Sequence, residues 1–266
     1  MAALDTRRIT TRRGIEGDAF VGGAGPDLVF LHGAGGTSPE DPLLAALAES
    51  FTVHAPVWPG FGDDETETEL EDMLDFTLHG WDLVDALGLD GPPILAGHSM
   101  GGMIAAEMAA VARNDLTQLV LLAPVGLWDD AHPIPDIFAM LPFELAETLF
   151  HDPVAGEKLM TGGVDFTDND ALAAFMVGNA RRLGTAGKIL FPIPNRRLSK
   201  RIHRIGVPTL LVWGESDRLV SADPYAEHWR TAIDGASLET VGEAGHMLHL
   251  EQPTAVAEHV AAFAHH

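Results

Sequence analysis

Ser99 stands at the centre of Gly97-His98-Ser99-Met100-Gly101, a Gly-x-Ser-x-Gly run preceded by the apolar Ile94-Leu95-Ala96. Between a strand and a helix, that pattern makes a tight turn whose central residue is strained and held clear of the sheet. The flanking glycines remove side chains that would clash there. A serine hydroxyl is a poor nucleophile near neutral pH and needs a base, and the base needs an orienting acid. Both follow in the order serine, acid, histidine. Trp213-Gly214-Glu215-Ser216-Asp217-Arg218 offers two carboxylates directly after an apolar run. Asp217 is the expected acid, because it lies deeper in the loop and precedes the apolar Leu219-Val220; Glu215 is its competitor. His246, in Glu243-Ala244-Gly245-His246-Met247-Leu248-His249, is the expected base, with Gly245 allowing close approach of the loop.

Attack on an acyl carbon also needs donors for the developing oxyanion. The residue after the nucleophile, Met100, offers one N–H at a helix start. The second is expected in His32-Gly33-Ala34-Gly35-Gly36, from Ala34 first and Gly35 second. That glycine-rich loop matches neither a Gly-x-x-x-x-Gly-Lys-Ser/Thr nor a full Gly-x-Gly-x-x-Gly pattern, which sets nucleotide binding aside. His246 and His249 are three residues apart, but no His-Glu-x-x-His accompanies them and no metal is expected. Cysteine is absent, so disulfides, thiolate catalysis and zinc–thiolate sites are excluded. The net charge of -23, from 39 acids and 16 bases, repels polyanions and argues against a nucleic-acid partner. The run Asp63, Asp64, Glu65, Glu67, Glu69, Glu71, Asp72 reads as a solvated loop and helix start, because it lacks the turn glycine of a calcium loop. No apolar stretch has the length of a membrane span and the start does not read as a secretory signal, so a cytoplasmic location is expected.

The positioning elements follow from periodicity. Short strands are expected at 7–13 and 16–21. Leu28-Val29-Phe30-Leu31 is a buried strand entering the glycine-rich turn, and 51–57 is the next strand. A helix over 69–87 carries Leu70, Met73, Leu74, Leu78, Trp81, Val84 and Leu87 at helical spacing and stops at Gly88. Strands at 93–97 and 119–123 flank a helix over 100–112. Residues 126–204 hold no convincing strand, several prolines, and helical stretches at 143–150 and 170–182. Alternation resumes at Pro208-Thr209-Leu210-Leu211-Val212-Trp213, with helices over 224–233 and 253–263 around a strand at 237–241. Alternating strands and helices predict an α/β fold with a mainly parallel sheet covered on both faces.

His32-Gly33-Ala34-Gly35, Pro59-Gly60-Phe61-Gly62, Gly97-His98-Ser99-Met100-Gly101-Gly102, Val212-Trp213-Gly214-Glu215-Ser216-Asp217 and Gly245-His246 resemble the landmarks of the α/β-hydrolase superfamily, from about Asp27 to the end of the chain. The resemblance implies an eight-stranded sheet, a core of residues 1–125 and 205–266, and a helical cap at 126–204 inserted after the sixth strand. It also implies hydrolytic chemistry without a cofactor. Epoxide hydrolases and haloalkane dehalogenases carry an aspartate where Ser99 stands. Carbon–carbon bond hydrolases of ring-cleavage products share the serine and the cap, but usually have an asparagine before the serine and a tryptophan after the histidine, where this chain has His98 and Met247. Gly-His-Ser-Met-Gly-Gly is more at home in esterases and lipases.

A carboxylic-ester hydrolase acting on a small-molecule substrate is therefore the leading expectation. The carbon–carbon bond hydrolase and a non-catalytic small-ligand receptor are the alternatives, and monomer and homodimer are both open. His32, Trp128, Phe138, Met140, Phe143, Phe175 and Met247 are the expected pocket residues; Leu141, Leu149, Phe150 and Met176 are further apolar candidates from the cap. Arg181, Arg182, Arg196 and Arg197 are candidates for anchoring a substrate carboxylate, should one face the cleft.

Overall fold

A computed structural model describes residues 4–62, 66, 68–112 and 114–265; the side chains of Pro142 and Phe143 lie outside that description, as do Asp63, Asp64, Glu65 and Glu67 of the acidic run. The chain opens with β1 (Asp5–Thr10) and β2 (Glu16–Gly23), then β3 (Asp27–Leu31), α1 (Pro42–Leu47), β4 (Thr52–Pro56), α2 (Met73–Leu87), β5 (Ile94–His98), α3 (Met100–Val111) and β6 (Gln118–Leu122). Three helices follow, α4 (Pro142–Leu149), α5 (Pro153–Thr161) and α6 (Asn169–Leu190), with 3-10 turns at Arg196–Lys200 and Ile202–Arg204. The chain ends with β7 (Thr209–Gly214), α7 (Ala222–Ala232), β8 (Ser237–Val241), α8 (Leu248–Glu251) and α9 (Pro253–Ala264).

The eight strands form one sheet in the order β1-β2-β4-β3-β5-β6-β7-β8. β2 pairs antiparallel with both neighbours and the remaining pairs are parallel. This is the mainly parallel α/β sheet that alternation predicts. Its central strands are continuous apolar runs, with Leu28 to Leu31, Leu119 to Leu122 and Leu210 to Trp213 all buried, because helices cover both faces. The chain leaves β3 to build β4 on one side and returns to build β5 on the other. The carboxyl ends of β3 and β5 thus meet at a switch point, where open α/β sheets bind ligands.

Local chemistry explains where elements differ from expectation. β1 ends at Thr10, not at residue 13, because Thr11 to Gly14 make the hairpin turn, with the Gly14 N–H donating to the Thr11 carbonyl and Gly14 at φ 81°. α2 begins at Met73, where the Asp72 carboxylate caps the N–H groups of Leu74 and Asp75 at 2.8 and 3.1 Å. Its buried stripe runs through Met73, Phe76, Thr77, Gly80, Leu83, Val84 and Leu87, whereas Leu74 and Leu78 are 60% and 49% exposed. α5 was not expected. Pro153, a breaker in a helix interior, sits at the helix start, where its missing N–H costs nothing, behind a capping Asp152. α6 continues well past residue 182, to Leu190. No helix among the described residues is long and apolar enough to cross a membrane.

Candidate functional site

Ser99 sits between β5 and α3 at φ 52°, ψ -112°, a conformation that costs a non-glycine residue energy and persists only where its surroundings impose it. They do so here. The Ser99 N–H donates to the Leu122 carbonyl at 2.9 Å, and the Ser99 carbonyl accepts from Met103 N–H at 3.0 Å. A Cβ on Gly97 would run into the Gly101 carbonyl, and one on Gly101 into the carbonyls of Leu31 and His32. The glycines let α3 start directly against the end of β3.

His246 must reach Ser99 from β8, three strands away, or roughly 14 Å at the usual strand spacing. The loop after β8 lies across the end of β7. Glu215 N–H donates to the Val241 carbonyl at 3.0 Å and Ser216 N–H to the Ala244 carbonyl at 2.8 Å, and a Cβ on Gly214 would strike the Gly245 carbonyl. The His246 imidazole thereby bridges two side chains. Its Nε2 accepts from Ser99 Oγ at 2.8 Å, while its Nδ1–H donates to Asp217 Oδ2 at 2.9 Å. The other carboxylate oxygen of Asp217 accepts the N–H groups of Leu219 and Val220 at 2.9 and 2.8 Å, which fixes the acid in place. Ser99, Asp217 and His246 are all buried, and Glu215, the competing carboxylate, is exposed. Among the described residues no cluster of His, Asp and Glu is arranged to hold a metal ion.

Met100 opens α3, so its N–H has no partner within the helix and points out of the same turn that carries Ser99. Gly33 packs on that turn; a Cβ there would lie 3.3 Å from Ser99 Cβ and 2.9 Å from His98 Nδ1. The Gly33–Ala34 peptide is thus beside the hydroxyl. His32 sets its orientation. Trp58 N–H donates to His32 Nε2 at 3.1 Å, which leaves the proton on Nδ1, and Nδ1–H donates to the Gly33 carbonyl at 2.8 Å. Holding that carbonyl aims the N–H of the same trans peptide, that of Ala34, the opposite way. Burial, opposed by the Gly33 bond and reinforced by the charge of Arg182, lowers the His32 pKa to about 4, so the ring is neutral.

His98 and Glu251 also hold the site, and no sequence motif announced either role. His98 Nε2–H donates to the His246 carbonyl at 2.8 Å, and its ring lies 4.1 Å from that of His249. Burial above all, with His249 and His246 alongside, keeps the His98 pKa well below its ordinary value, and burial lowers that of His249 to about 3. Glu251 accepts from Gly245 N–H at 2.7 Å and from His151 N–H at 2.8 Å, tying the histidine loop to the segment after α4.

The expected pocket residues spread over several places. His32 is buried at the start of the glycine-rich loop, with its ring against Phe61 at 4.8 Å. Met247 lies over the loop, its Cε 4.0 Å from where a Cβ on Gly35 would be. Trp128 is half-buried and donates to Asp130 at 2.8 Å. Phe138 packs edge-on to Phe191 and beside Gly187 of α6. Met140 is half-buried, Phe175 packs on Phe166 within the inserted helices, and the Phe143 side chain is outside the described residues. Leu149 is partly buried and Phe150 fully buried, whereas Leu141 and Met176 are 56% and 62% exposed. Arg196 and Arg197 are exposed; Arg181 and Arg182 are half-buried on α6.

The chain is 26% identical over 242 residues to the dihydrolipoyllysine-residue acetyltransferase component of an acetoin cleaving system of Cupriavidus necator, a match that takes in 87% of this chain and 61% of that protein. It thus spans less than two thirds of that relative's length. It is 25% identical over 260 residues to Lipase 1 of Psychrobacter immobilis, covering 90% of this chain and 77% of the lipase. Its fold superposes on a meta-cleavage product hydrolase from Pseudomonas fluorescens with a TM-score of 0.78 at 20% identity, covering 98% of both chains. The family model for alpha/beta hydrolases matches residues 28–259, a span that takes in the glycine-rich loop at 33–36, Ser99, Asp217 and His246, and the chain belongs to the alpha/beta hydrolase family.

Proposed function

We propose that this protein is a serine hydrolase that cleaves carboxylic esters through an acyl-enzyme intermediate, with Ser99, His246 and Asp217 as its triad. The observation that carries the reading is the His246 imidazole held between Ser99 Oγ at 2.8 Å and Asp217 Oδ2 at 2.9 Å, beneath a serine at a strained helix start. His246 takes the Ser99 proton as Oγ attacks the ester carbonyl. The N–H groups of Ala34 and Met100 stabilise the oxyanion, and Asp217 steadies the imidazolium. His246 then gives its proton to the departing alkoxide. A water deprotonated by the same ring attacks the acyl-enzyme, releasing the acid and restoring Ser99.

Residues 126–204 serve in this reading as a cap over a core of 1–125 and 205–266. Contacts at the end of α4 support it. Arg218, next to the acid, donates to the carbonyls of Glu147 and Phe150 at 2.7 and 2.9 Å, and Met247 N–H donates to the Leu149 carbonyl at 3.0 Å. The inserted helices are thus moored to both loops that carry the base and the acid. The lipase relative supports the ester reading.

Labelling with a fluorophosphonate, followed by peptide mapping, tests the nucleophile, and a panel of p-nitrophenyl esters tests the reaction. Labelled Ser99 and a loss of turnover by orders of magnitude in Ser99→Ala are the expected results. Turnover retained in Ser99→Ala would overturn the mechanism. Turnover of a ring-cleavage dienoate without turnover of any ester would move the assignment to carbon–carbon bond hydrolysis, and turnover of neither would favour a receptor.

A further inference from the structure

We propose that Arg182 recognises a carboxylate on the substrate, so that the preferred ester carries a free acid away from its scissile bond. The inference rests on the ester reading and names the substrate class for it. Arg182 precedes Thr185 and Ala186, both buried, by three and four residues. It therefore extends the face that α6 turns toward the core. The stem of Arg182 lies on the oxyanion loop, since a Cβ on Gly36 would meet Arg182 Cδ at 3.6 Å and Phe61 Cδ1 at 3.7 Å. Gly36 is two residues past Ala34, and the Arg182 charge also acts on His32 at the start of the same loop, so this cation lies on the loop that carries one proposed oxyanion donor.

The charge balance around Arg182 is the telling feature. In a chain with 39 acids and 16 bases, several cations pair with carboxylates, Arg201 with Glu107, Arg230 with Glu227, Arg12 with Asp85 and Arg13 with Glu69, while Arg204 and Arg218 are held by main-chain carbonyls. Arg182 is half-buried, and among the described residues no carboxylate pairs with it. Withdrawing a cation from water without a partner is costly, and so many acids make the lack of a structural partner conspicuous. Thr185, one turn on, adds a buried hydroxyl that has no hydrogen-bond partner among the described residues. A guanidinium fork matches a carboxylate in a bidentate pair, and the partner missing from the chain is then supplied by the substrate. The acidic surface repels anions at long range, so this local cation is what would make an anionic substrate acceptable.

Mono-p-nitrophenyl glutarate, an acid ester, and p-nitrophenyl butyrate, a neutral one, separate recognition of the acid from catalysis. Expected is a fall of at least tenfold in the ratio of their kcat/KM values in Arg182→Met, with Arg182→Lys intermediate. A ratio unchanged in both variants would overturn the proposal. Binding gives a second readout that needs no turnover. Calorimetry of monomethyl and dimethyl glutarate on Ser99→Ala, with and without Arg182→Gln, should show at least tenfold weaker binding of the monoester alone. Equal effects on both ligands would also overturn it. If the wild-type protein turns over neither nitrophenyl ester, the ester reading fails, and the binding comparison still decides the role of Arg182.

Discussion

His98 donates from Nε2 to the main-chain carbonyl of His246 across 2.8 Å, so the residue before the serine holds the backbone of the proposed base. The bond ties the end of β5 to the loop after β8, directly behind the imidazole that bridges Ser99 and Asp217. Removing it in His98→Ala leaves a buried carbonyl unpaired, at a cost of about 1–3 kcal/mol. If that cost falls on the placement of the imidazole, kcat drops by roughly five- to a hundredfold while KM moves little. Gln at position 98 keeps an N–H donor and should recover part of the loss. Steady-state kinetics of the two variants on one nitrophenyl ester provides the check; KM effects alone, or equal losses in Ala and Gln, would mean that the bond is not what positions the base.

The two carboxylates after β7 are separated by a simple exchange. Asp217→Asn keeps the volume but loses the acceptor that holds the proton on His246 Nδ1, and a loss of about four orders of magnitude in kcat is expected. Glu215→Gln, at an exposed position, should leave kcat within about twofold, as for surface substitutions generally. Comparable losses in the two variants would reassign the acid.

Acid should destabilise this protein by an identifiable route. Burial lowers the pKa of His32 to about 4 and of His249 to about 3, and that of His98 falls well below 6.5, so all three are neutral in the folded state. Unfolding releases them to their ordinary value near 6.5. Between that value and the lowered ones the unfolded chain binds more protons, so stability is fully present above about pH 6.5 and declines as pH falls. Each such histidine contributes a slope of about 1.4 kcal/mol per pH unit in that window. Urea midpoints measured from pH 7.5 to 5 should show the decline, and His249→Phe should flatten it. An unchanged slope in that variant would mean that His249 does not titrate with unfolding.

Much of this site can be read along the chain because its chemistry is local in sequence. Gly97-His98-Ser99-Met100-Gly101 encodes its own turn, and the apolar Leu219-Val220 two and three residues after Asp217 marks the residue whose carboxylate caps their N–H groups. The less legible features depend on partners that only topology supplies. Nothing beside His98 announces a bond to a residue 148 positions away, and Glu251 acts on Gly245 and His151 through the crossing of two loops. The Asp152-Pro153 pair reads equally as an interruption or as a capped helix start, which hid α5. The periodicity of α2 allowed two adjacent stripes, and only packing on α3 chose the one through Phe76 and Gly80 over Leu74 and Leu78.

Gly88 and Gly101 are required for different physical reasons, which substitution can tell apart. Gly88 ends α2 at φ 69°, with nothing within 4 Å of where a Cβ would stand. Gly88→Ala therefore pays only for the left-handed backbone, about 1–2 kcal/mol. Gly101 has no such freedom: a Cβ there would drive into the carbonyls of Leu31 and His32, where α3 abuts β3. Neither backbone can yield without moving Ser99 and the Gly33–Ala34 peptide. Gly101→Ala should cost about 3 kcal/mol or more, as overpacking of a fixed site does. Since roughly 2–4 °C accompanies each kcal/mol in a chain of this size, the Gly101 variant should melt several degrees below the Gly88 variant. It should also lose turnover at temperatures where it remains folded, because the shift displaces the Met100 and Ala34 N–H groups, the proposed oxyanion donors, from Ser99. Equal melting points with full activity in both would show that the contact between α3 and β3 has slack, and that the close approach of Gly33 to Ser99 does not depend on it.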